Sequence, residues 1–494
     1  MGRKDKVIKE EISKGKLIDK RELGYYSTPD YICNYIAERL FSINNKGKSV
    51  FDPCCGREEM LRPFINKNIK CYGIDIYRYK DIYECSFENR DFLDFYFSNI
   101  DFGRTINTLE YDYYVLNPPY NCHEVKYIKE NKDKLKSKFK DVGIQNMYLM
   151  FISAVIDLAK EGALIGIITN DSFFTAKIYK NFRRKILEKC SIHEITMCPT
   201  DLFISQGADV RTSIIILQKG TKYQGKIILN NRTNNKRNFE AKIKKGELEN
   251  NKYFIEDIVL DKDRDNLEFL IECPKEIKLL FNNRRIGDIY KCITGISTGN
   301  DKLYLSRECK GQYKVPFYKN PGKDKFYTEK ILYIDKDFIE IAKKVSNFIV
   351  RNKEDLFNEG VICSSMGVEF SACKLPKGSV FGVNCCILCD EEESFFLLSY
   401  LNSNLVSYLV RGLLNRSNMI TSGYIARIPL INFTKKEKEK LILLGRLAYN
   451  NSKNREDIQE ILREINNEIN KACRLSAKTI YYIEEFIEDL VRKA

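Results

Sequence analysis

SVFDPCCG, residues 49–56, is the stretch whose reading decides the fold. A short apolar run of strand character ends in an acid, and a proline and a glycine-bearing turn then open a helical stretch. A turn of this kind after the first strand of an α/β sheet lets the backbone approach a ligand closely. On either side, short apolar runs alternate with amphipathic stretches over residues 25–218, as βαβ units do. Predicted strands are SVFD (49–52), CYGID (71–75), YVLN (114–117), ALIGIIT (163–169), EITM (194–197) and SIIILQ (213–218). Predicted helices cover 30–41, 146–160 and 179–190, the first opened by the N-cap signal Ser27-Thr28-Pro29. The expected fold class is α/β, an open parallel sheet whose ligand sits beyond the carboxyl ends of its strands.

At 494 residues the chain is too long for one ordinary core, and the pattern divides it. Residues 1–24 read as a charged lead-in helix and 25–220 as the α/β domain. Residues 221–285 are polar and Asn/Lys-rich, read as a connector with some short strands. Residues 286–494 read as a second globular region of mixed strands and loops, closing with long helical patterns from Thr434. An apolar share of 44% argues against disorder over most of the chain. The charge of +14 suits a polyanionic partner, because each neutralised phosphate releases a counterion. The polar start has no secretory core and the apolar runs are short, so a cytoplasmic location with no membrane span is expected. Seventeen cysteines, an odd number with adjacent pairs, do not suggest a disulfide framework. The one C-x-x-C, Cys386 to Cys389, lies in a strand-like run where period 2 puts the two on opposite faces. They read as core residues, and no metal is expected.

Asn117-Pro118-Pro119-Tyr120 follows the strand YYVL at the ligand-binding edge. Two consecutive prolines make a stiff loop that lacks two amide donors. An exocyclic amine offers two N–H donors, which the Asn117 side-chain oxygen and the Pro118 carbonyl can accept. Tyr120 can stack on the base that carries that amine. Asp75 ends the second strand, 23 residues after Asp52, where a carboxylate can take both ribose hydroxyls of a nucleoside. At Asp91-Phe92 the acid can accept an adenine amine while the ring packs on the base.

The order TP (28–29), DPCCG (52–56), GID (73–75), RDFL (90–93) and NPPY (117–120) resembles the amino-adenine DNA methyltransferases of restriction–modification systems, in their γ arrangement. The resemblance implies a Rossmann-like S-adenosyl-L-methionine-dependent methyltransferase domain followed by a mixed α+β target-recognition domain. Thr28, Asp52, Cys54, Gly56, Asp75, Asp91 and Phe92 would then hold the cofactor. Asn117, Pro118, Pro119 and Tyr120 would hold a flipped adenine, with Tyr179 or Phe174 as a second aromatic on its other face. CITGISTGNDKLYL (292–305) resembles a recognition segment of the same family, which assigns Gly295, Ser297, Thr298, Gly299 and Asn300 to DNA recognition. Lys177, Lys180, Arg183, Arg184 and Lys185 are candidates for phosphate contacts, or a solvated helix face.

Glu58 departs from the resemblance, standing where the family continues its glycine turn with a second glycine. A carboxylate there could repel the cofactor's carboxylate or pair with its amino group. The expected partner is double-stranded DNA, acted on by a monomer, with room for a separate cognate endonuclease. So little chain precedes Thr28 that no fused nuclease is expected. Alternatives are an N4-cytosine DNA methyltransferase, or a DNA-binding specificity protein with a degenerate catalytic domain. An enzyme acting on a glutamine amide would need neither this length nor a recognition half.

Overall fold

Nine strands of the described residues in the amino-terminal part lie in one sheet. In chain order they are β1 (Ser49–Asp52), β2 (Lys70–Asp75), β3 (Ser86–Asn89), β4 (Tyr113–Leu116), β5 (Leu164–Asn170), β6 (Cys190–Met197), β7 (Thr212–Lys219), β8 (Ile227–Asn230) and β9 (Asn251–Tyr253). The computed structural model describes residues 9–12, 16–19, 24–101, 105–121, 125–140, 142–220, 223, 225–260, 265–366, 369–415 and 419–492. The chain divides into two units, Met1–Ile271 and Glu272–Ala494.

The strands stand in the order β9-β8-β6-β7-β5-β4-β1-β2-β3. From β3 through β5 all neighbours are parallel. β7 runs antiparallel between β5 and β6, and β9 antiparallel to β8. A wholly parallel sheet is therefore not what forms. The link from β6 to β7 holds no crossover helix, only the 3₁₀ turn Ile204–Gln206. A parallel return needs a crossover long enough for a helix. The run from β3 through β5, with its reversal between β1 and β4, is that of a Rossmann-like α/β sheet.

Side chains alternate across this sheet, so successive residues feed two cores. Phe51, Tyr114, Leu116, Ile165, Ile167 and Ile215 join one. Val50, Tyr113, Val115, Leu164, Ile168 and Ile214 join the other. Helices α1 (Asp30–Ile43), α2 (Phe92–Ser98), α3 (Met147–Leu158) and α4 (Lys180–Lys189) cover the two faces. The apolar α3 is buried on nearly every side, as a helix without a polar face must be. Gly166 lets α1 lie close to β5, because a Cβ there would meet Ile36 Cγ2 at 2.4 Å.

Two expectations need correction. In the supposed lead-in helix, Lys9–Ile12 and Lys16–Asp19 pair as antiparallel strands. KEEI and KLID are four residues each, too short a span for helical periodicity to assert itself. The supposed connector carries β8, β9 and helix α5 (Lys236–Lys245), which extend the first unit's sheet and core. Ile227, Leu229 and Phe239 anchor it, all buried among polar neighbours whose composition hides them.

Among its described residues the second unit holds two four-stranded sheets. Its strands are β10 (Lys291–Ile293), β11 (Ile296–Ser297), β12 (Leu305–Ser306), β13 (Tyr313–Tyr318), β14 (Ile331–Asp335), β15 (Ile349–Val350), β16 (Gly360–Cys363), β17 (Ala372–Leu375), β18 (Val380–Phe381) and β19 (Cys386–Leu388). The sheet orders are β10-β19-β16-β17 and β12-β14-β13-β18, with β11 and β15 as a separate pair. One core of Phe317, Ile334, Ile362, Phe381 and Cys386 joins the sheets. Cys386 is fully buried there, as a small core residue. Helices α6 (Glu391–Leu401), α7 (Lys435–Asn454), α8 (Gln459–Ala472) and α9 (Ala477–Arg492) follow, α7 opened by a Thr434–Glu437 capping box. No helix among the described residues is long and apolar enough to cross a membrane.

Candidate active site

The strand order reverses between β1 and β4, and ligands of such sheets bind at that reversal. A pocket opens there, lined by Pro53 and Cys54 after β1, Asp75 to Tyr77 after β2, Asp91 and Phe92 after β3, and Asn117 and Pro119 after β4. Gly24, Tyr25, Tyr79, Asn121, Tyr127, Met147 and Phe151 complete its wall. Its empty space, open mouth included, is about 730 Å³.

Asp75 is buried and its two oxygens accept from different amides, Gly56 N at 2.9 Å and Tyr77 N at 3.0 Å. Burial nevertheless pushes its carboxyl up to about 6, those amides acting against the rise. Asp91 caps α2, accepting from Leu93 N at 2.8 Å, and its other oxygen accepts from the Tyr127 hydroxyl at 2.6 Å. Phe92 lies against Phe151, ring centres 5.0 Å apart. Gly56 has φ +53°, and a Cβ there would stand 2.5 Å from the Tyr25 ring, so the turn needs glycine. Glu59 secures the entering segment, accepting from the hydroxyls of Tyr25 and Ser27. Acids for hydroxyls and an amine, with apolar rings between them, fit an adenine nucleoside.

Asn117 donates both Nδ2 hydrogens, to the Tyr26 carbonyl at 2.8 Å and Thr28 Oγ1 at 2.9 Å. Its Oδ1 is buried with no hydrogen-bond partner among the described residues. Burial pushes the Cys54 thiol well up, and the protonated sulfur donates to the Asn117 carbonyl at 3.5 Å. Pro118 is buried. The Tyr120 ring stacks on Tyr26 at 5.8 Å and meets Phe203 edge-on at 6.1 Å.

Residues 86–279 match the N-6 DNA methylase family. A curated relative is the type I restriction enzyme MjaIX methylase subunit of Methanocaldococcus jannaschii, 24% identical over 242 residues. That match takes in 43% of this chain and 40% of the relative, so the chain spans less than half of its length. Among solved structures, the DrdV–DNA complex aligns over 88% of this chain and 58% of its own, with a TM-score of 0.54 at 12% identity. The ATP-dependent type ISP restriction-modification enzyme LlaBIII bound to DNA aligns over 87% of this chain and 39% of its own, at 0.55 and 11%. At such identities the likeness is one of fold.

Of the residues expected at the cofactor, Cys54, Asp75, Asp91 and Phe92 line the pocket. Gly56 stands behind Asp75 and shapes it through its amide. Asp52 and Thr28 are buried outside the lining, Asp52 accepting from Cys54 N at 3.0 Å and Thr28 holding Asn117. Glu58 also lies outside it. Its carboxylate accepts from the amides of Glu84 at 2.9 Å and Cys85 at 2.8 Å and pairs with Lys80. Burial works to raise this carboxyl, but Lys80 and the Cys85 amide prevail and hold it below the ordinary range.

Neither candidate for the second aromatic lines the pocket. Phe174 is fully buried against Phe269, and the buried Tyr179 hydroxyl bonds Asn146. Phe203 and Tyr26 are the rings beside Tyr120; Tyr26 stands two residues before the TP segment, the one clue to it. Arg183 and Lys185 hold structure inside the unit, Arg183 through the carbonyls of Ala176 and Asn266 and Lys185 through Asp157. In the second unit, Gly295 allows a close backbone approach, its absent Cβ falling 2.2 Å from the Phe381 carbonyl oxygen. Ser297 is half-buried in β11, Thr298 is buried and donates to Asp301 at 2.6 Å, and Gly299 (φ +67°) and Asn300 are exposed.

Proposed function

We propose that this chain methylates N6 of a flipped adenine in double-stranded DNA, as the modification enzyme of a restriction–modification system. The observation that carries this reading is the buried Asn117 Oδ1, without a hydrogen-bond partner among the described residues, beside a pocket suited to an adenine nucleoside. The N-6 DNA methylase match over residues 86–279 supports it.

S-adenosylmethionine would be held by Asp75 at its ribose hydroxyls, by Asp91 and Phe92 at its adenine, and along the turn at Pro53 and Cys54. When bound it supplies an electrophilic methyl group. Asn117 Oδ1 and the Pro118 carbonyl accept the two N–H groups of the target amine. That draws the nitrogen lone pair out of conjugation with the ring, where it becomes nucleophilic. No strong base is required, since the alkylated nitrogen is cationic and sheds its proton readily. Tyr120 stacks on the extruded base, offsetting part of an extrusion cost on the order of a few kcal/mol. The second unit would choose the sequence through groove contacts around residues 295–300.

Tritiated methyl transfer to unmethylated DNA tests this directly. Label should enter DNA and digest to N6-methyl-2′-deoxyadenosine, and a label on N4 of cytosine would redirect the reading to that base. Asn117→Ala should lower transfer by about 100-fold or more, the scale of one lost polar contact to a reacting centre. Calorimetry should find cofactor binding by that variant within about twofold of wild type. Unchanged transfer would remove Asn117 from its role.

A further inference from the structure

An asparagine amide can present either its oxygen or its nitrogen, and only the oxygen can accept an amine's hydrogen. At Asn117 the Tyr26 carbonyl decides which, since it can only accept, and the Thr28 hydroxyl takes the second hydrogen. The Tyr26 carbonyl and Thr28 Oγ1 take the Nδ2 hydrogens at 2.8 and 2.9 Å. Turning the amide over would set Oδ1 against the Tyr26 carbonyl, two acceptors in contact with no hydrogen between them. The choice is made by the segment preceding α1, which Glu59 ties down through the hydroxyls of Tyr25 and Ser27. Thr28 is 3% exposed and outside the pocket lining.

We infer that Thr28, together with the Tyr26 carbonyl, is a positioning residue that fixes Asn117 Oδ1 as the acceptor offered to the target amine, and is not a ligand of the cofactor. The inference rests on the proposed function and sharpens it. It carries a corollary. Aspartate at position 117 would set a carboxylate oxygen against the Tyr26 carbonyl, so this site requires the amide.

The test uses the full chain, with transfer measured at saturating cofactor and DNA and cofactor affinity measured separately by calorimetry. Thr28→Val keeps the shape and removes the acceptor; Thr28→Ser keeps the acceptor. Thr28→Val should lower kcat on the order of tenfold or more while its cofactor Kd and melting temperature stay near wild type. Thr28→Ser should recover most of the rate, and Asn117→Asp should be at least as impaired as Asn117→Ala. A Thr28→Val variant with weakened cofactor binding and an unchanged saturating rate would make Thr28 a cofactor ligand and overturn the inference. Wild-type rate in Thr28→Val or in Asn117→Asp would overturn it as well, leaving the function intact. No transfer to DNA by the parent chain would overturn the function and the inference together.

Discussion

Asp75 carries the cost of its own placement. An ordinary aspartate titrates near about 3.9, whereas burial pushes Asp75 up to about 6. The native state thus holds this proton more tightly than the unfolded chain does. Its contribution to stability is fully present below about 4 and is lost as pH rises through about 6. Cofactor binding that needs the carboxylate should run the other way, strengthening over the same window. Calorimetry from pH 4.5 to 7.5 should find the ligand-free melting temperature falling relative to Asp75→Asn while cofactor affinity rises; parallel curves for the two proteins would remove Asp75 from both effects. At this scale the acids after strand ends were legible because their chemistry and spacing are local. The roles of Thr28 and Glu58 were not, since each depends on what stands opposite, Asn117 for one and the residues 80–85 for the other.

Among elements, strands were the most readable, because continuous burial on both faces of β4, β5 and β7 leaves unbroken apolar runs. The reversal of β7 was hidden, since direction is set by the connection and not by the strand's own residues. The short strands expected in the connector gave no sign that they extend this sheet as β8 and β9, because strands with few apolar anchors do not reveal their partners. Glu58 acts at this scale, pinning the loop between β2 and β3 to the turn after β1. Glu58→Ala would leave the buried amide of Cys85 and its neighbour without their acceptor, a loss of about 1–3 kcal/mol by denaturant unfolding. Cofactor affinity should stay within about twofold. A variant that binds the cofactor markedly tighter at wild-type stability would show instead that the carboxylate faces the ligand.

For the whole molecule, the two units divide the proposed labour into a pocket that presents an amine acceptor and a carboxyl-terminal unit to choose the target. The pocket could be placed in the sequence from its acids and its Asn-Pro-Pro-Tyr loop. Apart from Phe92 its aromatic wall could not, because Tyr25, Tyr79, Tyr127 and Phe151 come from four separate stretches that only folding brings together. Phe203 joins Tyr120 for the same reason. The central claim is that Asn117 presents its oxygen to an adenine amine in DNA. Modified-base sequencing of DNA from cells expressing the chain, beside cells expressing Asn117→Ala, tests it most directly. N6-methyladenine within one recurring sequence, absent with Asn117→Ala, is the predicted result; no new methylated base, or the same base in both, would contradict it.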